Sequence, residues 1–193
     1  MVPTHFTEIY TAQNKIDLLK LARQSIAHGL DTGFPLIVDI SDWSEPLINP
    51  AACFVTLKIN KQLRGCIGHL SAEQPLVKDV AENAYSAAFR DSRFSKLTPG
   101  ELNKAVISIS VLTKPEPIHV ENESDLIAQI RPGVDGIIIK DGIRKGTFLP
   151  VVWESLPDKK EFITQLKLKA NLPTDYWSDT IEVFRYRAIN FSE

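Results

Sequence analysis

Alternating apolar and polar residues predict two neighbouring β-strands in the first third of the chain. Residues 53–59 and 63–67 both place apolar or small residues at the odd-numbered positions. A shift of one residue in a hairpin would turn every side chain to the opposite face, so both apolar sets must face the same core. This requirement predicts that Val55 pairs with Ile67, and it leaves residues 60–62 as a three-residue loop.

The same register divides the second strand between two faces. Leu63, Gly65 and Ile67 are predicted to face the core. Arg64, Cys66 and Gly68 are predicted to lie on the other face, beside Phe54 and Thr56. The polar side chains of the hairpin therefore collect on one side of the predicted sheet.

Other periodic segments predict a mixture of helices and strands. Apolar residues at helical spacing, Pro in a first turn, and Gly or Asn after a last turn indicate the helices. Gly29 and Gly33 are expected to stop the first helix, and Asn171 is expected to adopt the left-handed conformation after the last. The predicted helices span residues 11–31, 75–90, 98–101, 124–130 and 157–170, and the further strands span 105–112, 136–140, 145–149 and 180–189.

Prolines mark the one predicted internal boundary. Thr113-Lys114-Pro115-Glu116-Pro117 follows a β-rich run and interrupts any continued pairing. The sequence therefore predicts one domain, residues 1–193, with two lobes that meet near residues 113–120.

Composition and charge exclude several classes of function. The 193 residues carry a formal net charge of −2, so no basic excess attracts nucleic acid or an anionic membrane. No apolar run is long enough to span a bilayer, and residues 1–8 lack the profile of a signal peptide. We expect a soluble cytoplasmic protein.

The two cysteines, Cys53 and Cys66, are too few for a disulfide framework or for a structural zinc or iron–sulfur site. Cys53 has core-face parity and Cys66 does not, so a disulfide between them is disfavoured. We predict no metal site, and His5, His28 and His119 are too scattered to suggest one.

Residues 63–68 are the candidate site, because glycines inside a strand mark a bulge, a bend or the close approach of another group. The Cys66 thiol suits a nucleophile, a redox centre or a metal ligand, and Arg64 on the same face would favour its thiolate form. The alternative for Cys66 is a small side chain packed beneath an alanine-rich helix.

The neighbouring charged residues have similar pairs of interpretations. Arg64 suits a carboxylate or phosphate ligand, or else a surface or lobe-bridging ion pair, for which Asp91 is one candidate partner. Asp91 and Arg93 either complete a polar pocket with Arg64 or cap a helix end and pair with each other. Gly65 and Gly68 either admit a substrate to the backbone or form a bulge.

The segment Leu63-Arg64-Gly65-Cys66-Ile67-Gly68 resembles the signature of the AMMECR family. Lys169-Ala170-Asn171-Leu172 departs from the Lys-Ala-Gly-Leu of many members, but Asn also tolerates the left-handed conformation. The further matching segments are Phe54-Val55-Thr56-Leu57, Asn83-Ala84, Ala87-Ala88-Phe89, Asp91-Ser92-Arg93-Phe94, Ile109-Ser110-Val111-Leu112, Asp135-Gly136, Phe148-Leu149-Pro150 and Trp153.

This resemblance implies an intracellular α+β protein with mostly antiparallel sheets, flanking helices and two unequal lobes. It also implies kinship with the AmmeMemoRadiSam system, in which such domains accompany Memo-like proteins and radical S-adenosylmethionine proteins. The resemblance brings no settled reaction, and it leaves the cofactor open.

The functional hypothesis is an enzyme, or a catalytic partner of Memo-like and radical S-adenosylmethionine proteins, that uses a Cys/Arg/Gly cleft. The alternatives are a non-catalytic interaction module and a small-anion sensor. Substrate and oligomeric state are left open. The candidate catalytic residues are Cys66 and Arg64, and the candidate binding residues are Gly65, Gly68, Asp91, Arg93 and Phe54.

Overall fold

Two four-stranded sheets and five α-helices form an α+β fold in the computed structural model, which describes residues 9–193. The prediction for residues 1–8 lies outside this range. One unit contains the described residues up to Leu112 together with Ile189–Glu193, and the other contains Thr113–Ala188. Within residues 9–193 no helix has the length and apolar character needed to cross a membrane.

The elements follow the predicted segments closely. The helices are α1 (Ala12–Thr32), α2 (Leu76–Phe89), α3 (Pro99–Leu102), α4 (Glu123–Gln129) and α5 (Lys159–Lys169). The strands are β1 (Cys53–Ile59), β2 (Gln62–Gly68), β3 (Val106–Leu112), β4 (Glu116–Ile118), β5 (Gly136–Asp141), β6 (Arg144–Phe148), β7 (Glu182–Tyr186) and β8 (Ala188–Ser192).

The sheet of the first unit has the strand order β2-β1-β3-β8, so β2 lies at an edge. Helices α1 and α2 pack together, with α2 against β1 and β2 and α1 against β3. The residues that fill this core alternate along the strands, as the apolar pattern predicted. Val55, Leu57, Ile107 and Ile109 are each 0% exposed.

Gly29 and Gly33 have different roles in α1. The helix ends at Gly33, which adopts the left-handed conformation with φ 80°. Gly29 was predicted to help stop the helix, and this was wrong. A side chain at Gly29 would begin within 3 Å of the Tyr85 and Phe89 rings, so this glycine lets α2 approach α1 closely.

The β1–β2 hairpin has the predicted register beside Cys66 but a different turn. Val55 pairs with Ile67, whereas Lys58 pairs with Leu63. The register shift leaves Arg64 as an extra residue in a bulge. The predicted three-residue loop and the predicted burial of Leu63 were therefore wrong. The turn is Asn60-Lys61, both with positive φ, and Leu63 is exposed.

The second unit contains an antiparallel sheet with the order β4-β7-β5-β6. Its core includes β5 residues buried on both faces and an aromatic stack of Trp153 on Phe162, with ring centroids 3.6 Å apart. Asn171 has φ 58°, which confirms the predicted left-handed position after α5.

Two predictions about strands in this part of the chain were wrong. The predicted strand 180–189 is two strands, because β7 belongs to the second sheet and β8 to the first. The proline-rich segment after residue 112 contains β4, which was not predicted. Pro117 is tolerated there because β4 is an edge strand.

Candidate functional site

Side chains from three adjacent strands line up on the face of the first sheet that points away from α1 and α2. Cys66 of β2 pairs with Thr56 of β1, and Thr56 pairs with Ser108 of β3. The next row consists of Gly68, Phe54 and Ser110. We call these six residues the Cys66 face, and all six are half-buried.

The Cys66 thiol has one side-chain partner on this face. Its Sγ lies 3.2 Å from the Thr56 hydroxyl oxygen, and either atom can donate the hydrogen bond. Both cysteines are free, and Cys53 is fully buried on the core side, as its parity predicted. Burial raises the pKa of the Cys53 thiol well above its ordinary value. Cys66 is therefore the more accessible of the two thiols.

An ion pair holds the backbone of Cys66. The Cys66 N–H donates to Asp91 Oδ2 at 2.9 Å, and Arg93 Nη2 donates to the Cys66 carbonyl at 3.2 Å. Arg93 also makes a two-point contact with Asp91, with Nη2–Oδ2 at 2.7 Å and Nε–Oδ1 at 2.9 Å. Asp91 and Arg93 thus pair with each other, which was one of the two predicted arrangements. Both side chains also hydrogen-bond to the backbone of β2.

The hydrogen bonds of Asp91 affect its protonation. The Arg93 guanidinium is the main reason that the Asp91 pKa lies well below its ordinary value, and the Cys66 N–H contributes to the same shift. Asp91 therefore stays ionised across the physiological pH range. We call the Asp91–Arg93 pair that holds the Cys66 backbone the clamp. The charges of this clamp do not change with pH in that range.

Arg64 forms an ion pair, as one of its two interpretations predicted, but its partner is Glu101 and not Asp91. Its Nε and Nη2 donate to the two carboxylate oxygens of Glu101 at 2.8 and 3.1 Å. Nη1 and Nη2 also donate to the carbonyls of Ser95 and Lys96. The Arg64 hydrogen bond lowers the pKa of Glu101 to about 2. Glu101 belongs to the capping box of α3, so Arg64 ties β2 to this helix.

The aromatic ring of Phe94 lies between these two ion pairs. The guanidinium carbons of Arg64 and Arg93 are 6.0 and 5.5 Å from the ring centroid. Both distances are within the range of a cation–π contact. Only 12% of the Arg64 side chain is exposed, whereas 55% of the Arg93 side chain is exposed.

The two glycines of the motif allow close packing by the protein itself. A Cβ on Gly65 would lie 2.1 Å from the carbonyl oxygen of Ala87 in α2. A Cβ on Gly68 would lie 2.3 Å from the Phe54 ring and 2.4 Å from the Cys53 carbonyl oxygen. Both glycines are thus required for packing. The alanine-rich helix α2 lies against the core side of the hairpin, on the face opposite to the Cys66 side chain.

A second polar site, which the sequence analysis missed, follows the end of β2. His69 Nδ1 lies 2.6 Å from Asp79 Oδ1 in α2. A cleft of about 500 Å³ beside this pair is lined by His69, Leu70, Ser71, Glu73, Gln74, Asp79 and Glu82. We call it the His69 cleft. Strand β2 ends at Gly68, so the alternation of the strand does not determine the direction of the His69 side chain.

The polar groups around Asp79 continue into the core. Asn83 Nδ2 donates to Asp79 Oδ2 at 2.9 Å and to the Cys53 carbonyl at 3.2 Å. Asn83 Oδ1 is buried without a hydrogen-bond partner among residues 9–193. No group of three or more His, Cys, Asp or Glu side chains in this part of the chain is arranged to hold a metal ion.

This chain is similar to one family of known proteins over most of its length. Residues 19–191 match the AMMECR1 family. A protein of Methanothermobacter thermautotrophicus is 38% identical over 178 residues, which cover 91% of this chain and 92% of the relative. A protein of Saccharolobus islandicus is 36% identical over 203 residues, which cover 100% of this chain and 88% of the relative.

A solved structure has the same fold. The crystal structure of the uncharacterised protein PH0010 from Pyrococcus horikoshii matches with a TM-score of 0.87 and 32% identity. The match covers 95% of this chain and 93% of that one. These similarities extend over nearly the full sequence and include the segment that carries Arg64 and Cys66. The chain therefore belongs to the AMMECR1 family.

Proposed function

We propose that this AMMECR1-family protein is an enzyme, or the catalytic partner in an assembly, and that it acts through the Cys66 thiol. One observation carries the proposal: the thiol is free, half-buried and held in a fixed position on an outward-facing sheet surface. Catalysis requires that the residues in contact with a reactive group hold that group in a fixed position.

In this proposal the surrounding residues have distinct tasks. Cys66 is the nucleophile, and the Thr56 hydroxyl at 3.2 Å donates a hydrogen bond to the thiolate. Asp91 and Arg93 fix the Cys66 backbone, and Arg64 positions the strand through Glu101. The half-buried Phe54 ring, which packs directly over Gly68, offers an apolar contact for substrate.

Arg93 is the better candidate for contact with a ligand. Its side chain is far more exposed than that of Arg64, and its Nη1 donates to no acceptor among the described residues, whereas every guanidinium nitrogen of Arg64 donates to a carboxylate or a carbonyl. An anion would have to displace these acceptors from Arg64, at a cost in free energy. This gives the small-anion sensor less support than the thiol-based proposal.

Alkylation of the native protein tests the reactivity of the thiol. Iodoacetamide at pH 7 should label Cys66 several-fold faster than it labels glutathione under the same conditions. Cys53 is buried, so it should react only after unfolding, and Cys66→Ser provides the matched control. A Cys66 rate equal to or below that of glutathione would count against the nucleophile.

The second candidate is a non-catalytic docking module for Memo-like or radical S-adenosylmethionine proteins, and the neutralised charges favour it. Both cations near Cys66 have carboxylate partners, so the face presents mainly small polar groups and Phe54. Such a surface suits a protein partner as well as a substrate. The cytoplasmic location expected from the sequence, where these partners would be met, also remains a prediction.

Two variants of the Cys66 face separate these candidates in binding assays with purified partners. Ser110→Arg places a bulky cation on the face without altering the thiol. A docking module should lose its complex in Ser110→Arg and keep it in Cys66→Ser. A catalytic partner should keep the complex in Cys66→Ser but lose the activity of the assembly.

A further inference from the structure

We infer that the His69 cleft is a second functional site, in which His69 Nε2 accepts a hydrogen bond from the ammonium group of a small organic cation. The inference is independent of Cys66 and of the thiol-based proposal. It rests on three features of the cleft: a fixed imidazole, a buried carboxylate behind it, and an anionic lining without a cation.

The imidazole is held in one orientation. The backbone N–H of His69 donates to the Cys53 carbonyl at 3.1 Å, and the ring Nδ1 donates to Asp79 Oδ1 at 2.6 Å. Because a carboxylate oxygen can only accept, Nδ1 carries the hydrogen, and Nε2 is the acceptor of the neutral ring. Nε2 has no hydrogen-bond partner among the residues that the structure describes, and 45% of the side chain is exposed.

The carboxylate behind the imidazole is itself fixed. Asp79 is 2% exposed and accepts hydrogen bonds from the Cys53 N–H at 2.8 Å, Asn83 Nδ2 at 2.9 Å and Gln74 Nε2 at 3.3 Å. Asn83 Nδ2 and His69 Nδ1 lie 3.4 Å apart, but both are donors, so they form no hydrogen bond with each other. A buried, hydrogen-bonded Asp at Nδ1 fixes both the orientation and the tautomer of an imidazole.

The lining of the cleft selects the charge of the ligand. It contains Glu73, Glu82 and Asp79 but neither Lys nor Arg. Glu82 accepts a hydrogen bond from Gln74 Nε2 at 2.9 Å, and Glu73 has no hydrogen bond or ion pair within the described residues. An ammonium group would gain a carboxylate partner there, whereas a carboxylate or phosphate would be repelled.

His69 contacts the ligand directly at this site, and Asp79 is a positioning residue that acts through the imidazole.

The test uses protein labelled with ¹⁵N in its histidine rings. Putrescine should shift the ring nitrogen signals of His69 with saturation and leave those of His119 unchanged. The fully N-methylated form of putrescine carries the same two positive charges but has no N–H to donate, and it should bind at least tenfold more weakly. Equal binding of the two cations, or no saturable shift at His69, would overturn the inference.

Substitutions distinguish this role from a structural one. His69→Gln should weaken putrescine binding at least tenfold, whereas His119→Gln should leave it unchanged. Glu73→Gln should weaken the binding of both cations, because it removes a negative charge from the cleft and leaves the His69 acceptor in place. Asp79→Asn should change the balance of the two ring tautomers, and an unchanged tautomer in a folded variant would contradict the assignment of Asp79.

Discussion

Gly65 lies directly against the carbonyl oxygen of Ala87, with no room for a Cβ between strand β2 and helix α2. The atom that would have to move belongs to the backbone of a helix, so it cannot rotate away as a side chain would. The glycine of the motif is therefore a packing requirement of the fold, whatever else the motif does.

Gly65→Ala should destabilise the protein by at least about 2 kcal/mol, because added volume in a packed core forces backbone shifts. Urea unfolding measures the change in the free energy of unfolding. Gly100→Ala is the matched control, since a Cβ there meets nothing within 4 Å. The control should stay within about 1 kcal/mol of wild type. Equal stability of the two variants would contradict the close contact.

The Arg64–Glu101 pair should contribute measurably to stability. Arg64→Ala leaves Glu101 and the carbonyls of Ser95 and Lys96 without their donor, and it should cost about 2 kcal/mol. Arg64→Lys should be intermediate, because an ammonium cannot make the two-point contact. A double-mutant cycle with Glu101→Gln isolates the pair. A coupling energy near zero would indicate that Arg64 acts only through the two carbonyls.

The same pair predicts how stability depends on acid. The folded-state pKa of Glu101 is about 2, compared with an ordinary value of 4.5. A group whose pKa is depressed by folding contributes stability above its unfolded-state pKa and loses that contribution as the pH falls toward its folded-state pKa. The free energy of unfolding should therefore decrease between pH 4.5 and pH 2. Asp91, whose pKa is also lowered, adds to the loss in acid.

Urea midpoints at pH 5, 4 and 3 measure this dependence. Glu101→Gln should be less stable than wild type at pH 5 and should lose less stability on acidification. Glu73→Gln, which removes a carboxylate outside the pair, controls for the change in net charge. An acid profile of Glu101→Gln parallel to that of wild type would show that another group is responsible.

The Asp91–Arg93 clamp should control the exchange of one particular amide hydrogen. Asp91→Ala removes the acceptor of the Cys66 N–H, so exchange of that hydrogen should accelerate at least about tenfold, the factor that corresponds to 1.4 kcal/mol. The Ile67 amide is the internal control, because alternate residues of an edge strand point toward β1. Equal acceleration at both residues would indicate general loosening of the strand and not loss of the clamp.

Side-chain parity explains why the Cys66 face could be predicted from the sequence. Val55 and Ile67 must both be buried, and that condition fixes the pairing of Thr56 with Cys66 between them. The outward direction of the Cys66 backbone makes this a pair without mutual hydrogen bonds. Side chains come closest in such pairs, which agrees with the 3.2 Å contact.

The turn of the hairpin could not be predicted by the same argument. A two-residue turn needs positive φ at both positions, and Asn-Lys is a weaker signal for this than Asn-Gly. Asn60 and Lys61 nevertheless have φ values of 52° and 65°. The extra residue is placed in the strand as a bulge, which turns Leu63 outward while leaving the register at Cys66 unchanged.

The partners of the charged residues were harder still to predict. Arg64 pairs with Glu101, 37 residues away, and nothing in the sequence distinguishes Glu101 from Asp91 as its partner. The His69–Asp79 pair was missed because it depends on a loop conformation after β2. Periodicity describes helices and strands, and it gives no direction for a side chain in a loop.

The clamp on Cys66 has a consequence for how the molecule behaves among other copies of itself. An edge strand offers unpaired N–H and C=O groups to which a strand from another chain can add, and this is a common start of aggregation. Strand β2 lies at such an edge, yet Asp91 and Arg93 already occupy both backbone groups of Cys66. The ion pair occupies the hydrogen-bonding groups to which a strand from another molecule would bind. The thiol can therefore face outward on an edge strand whose backbone is protected from intermolecular pairing at Cys66.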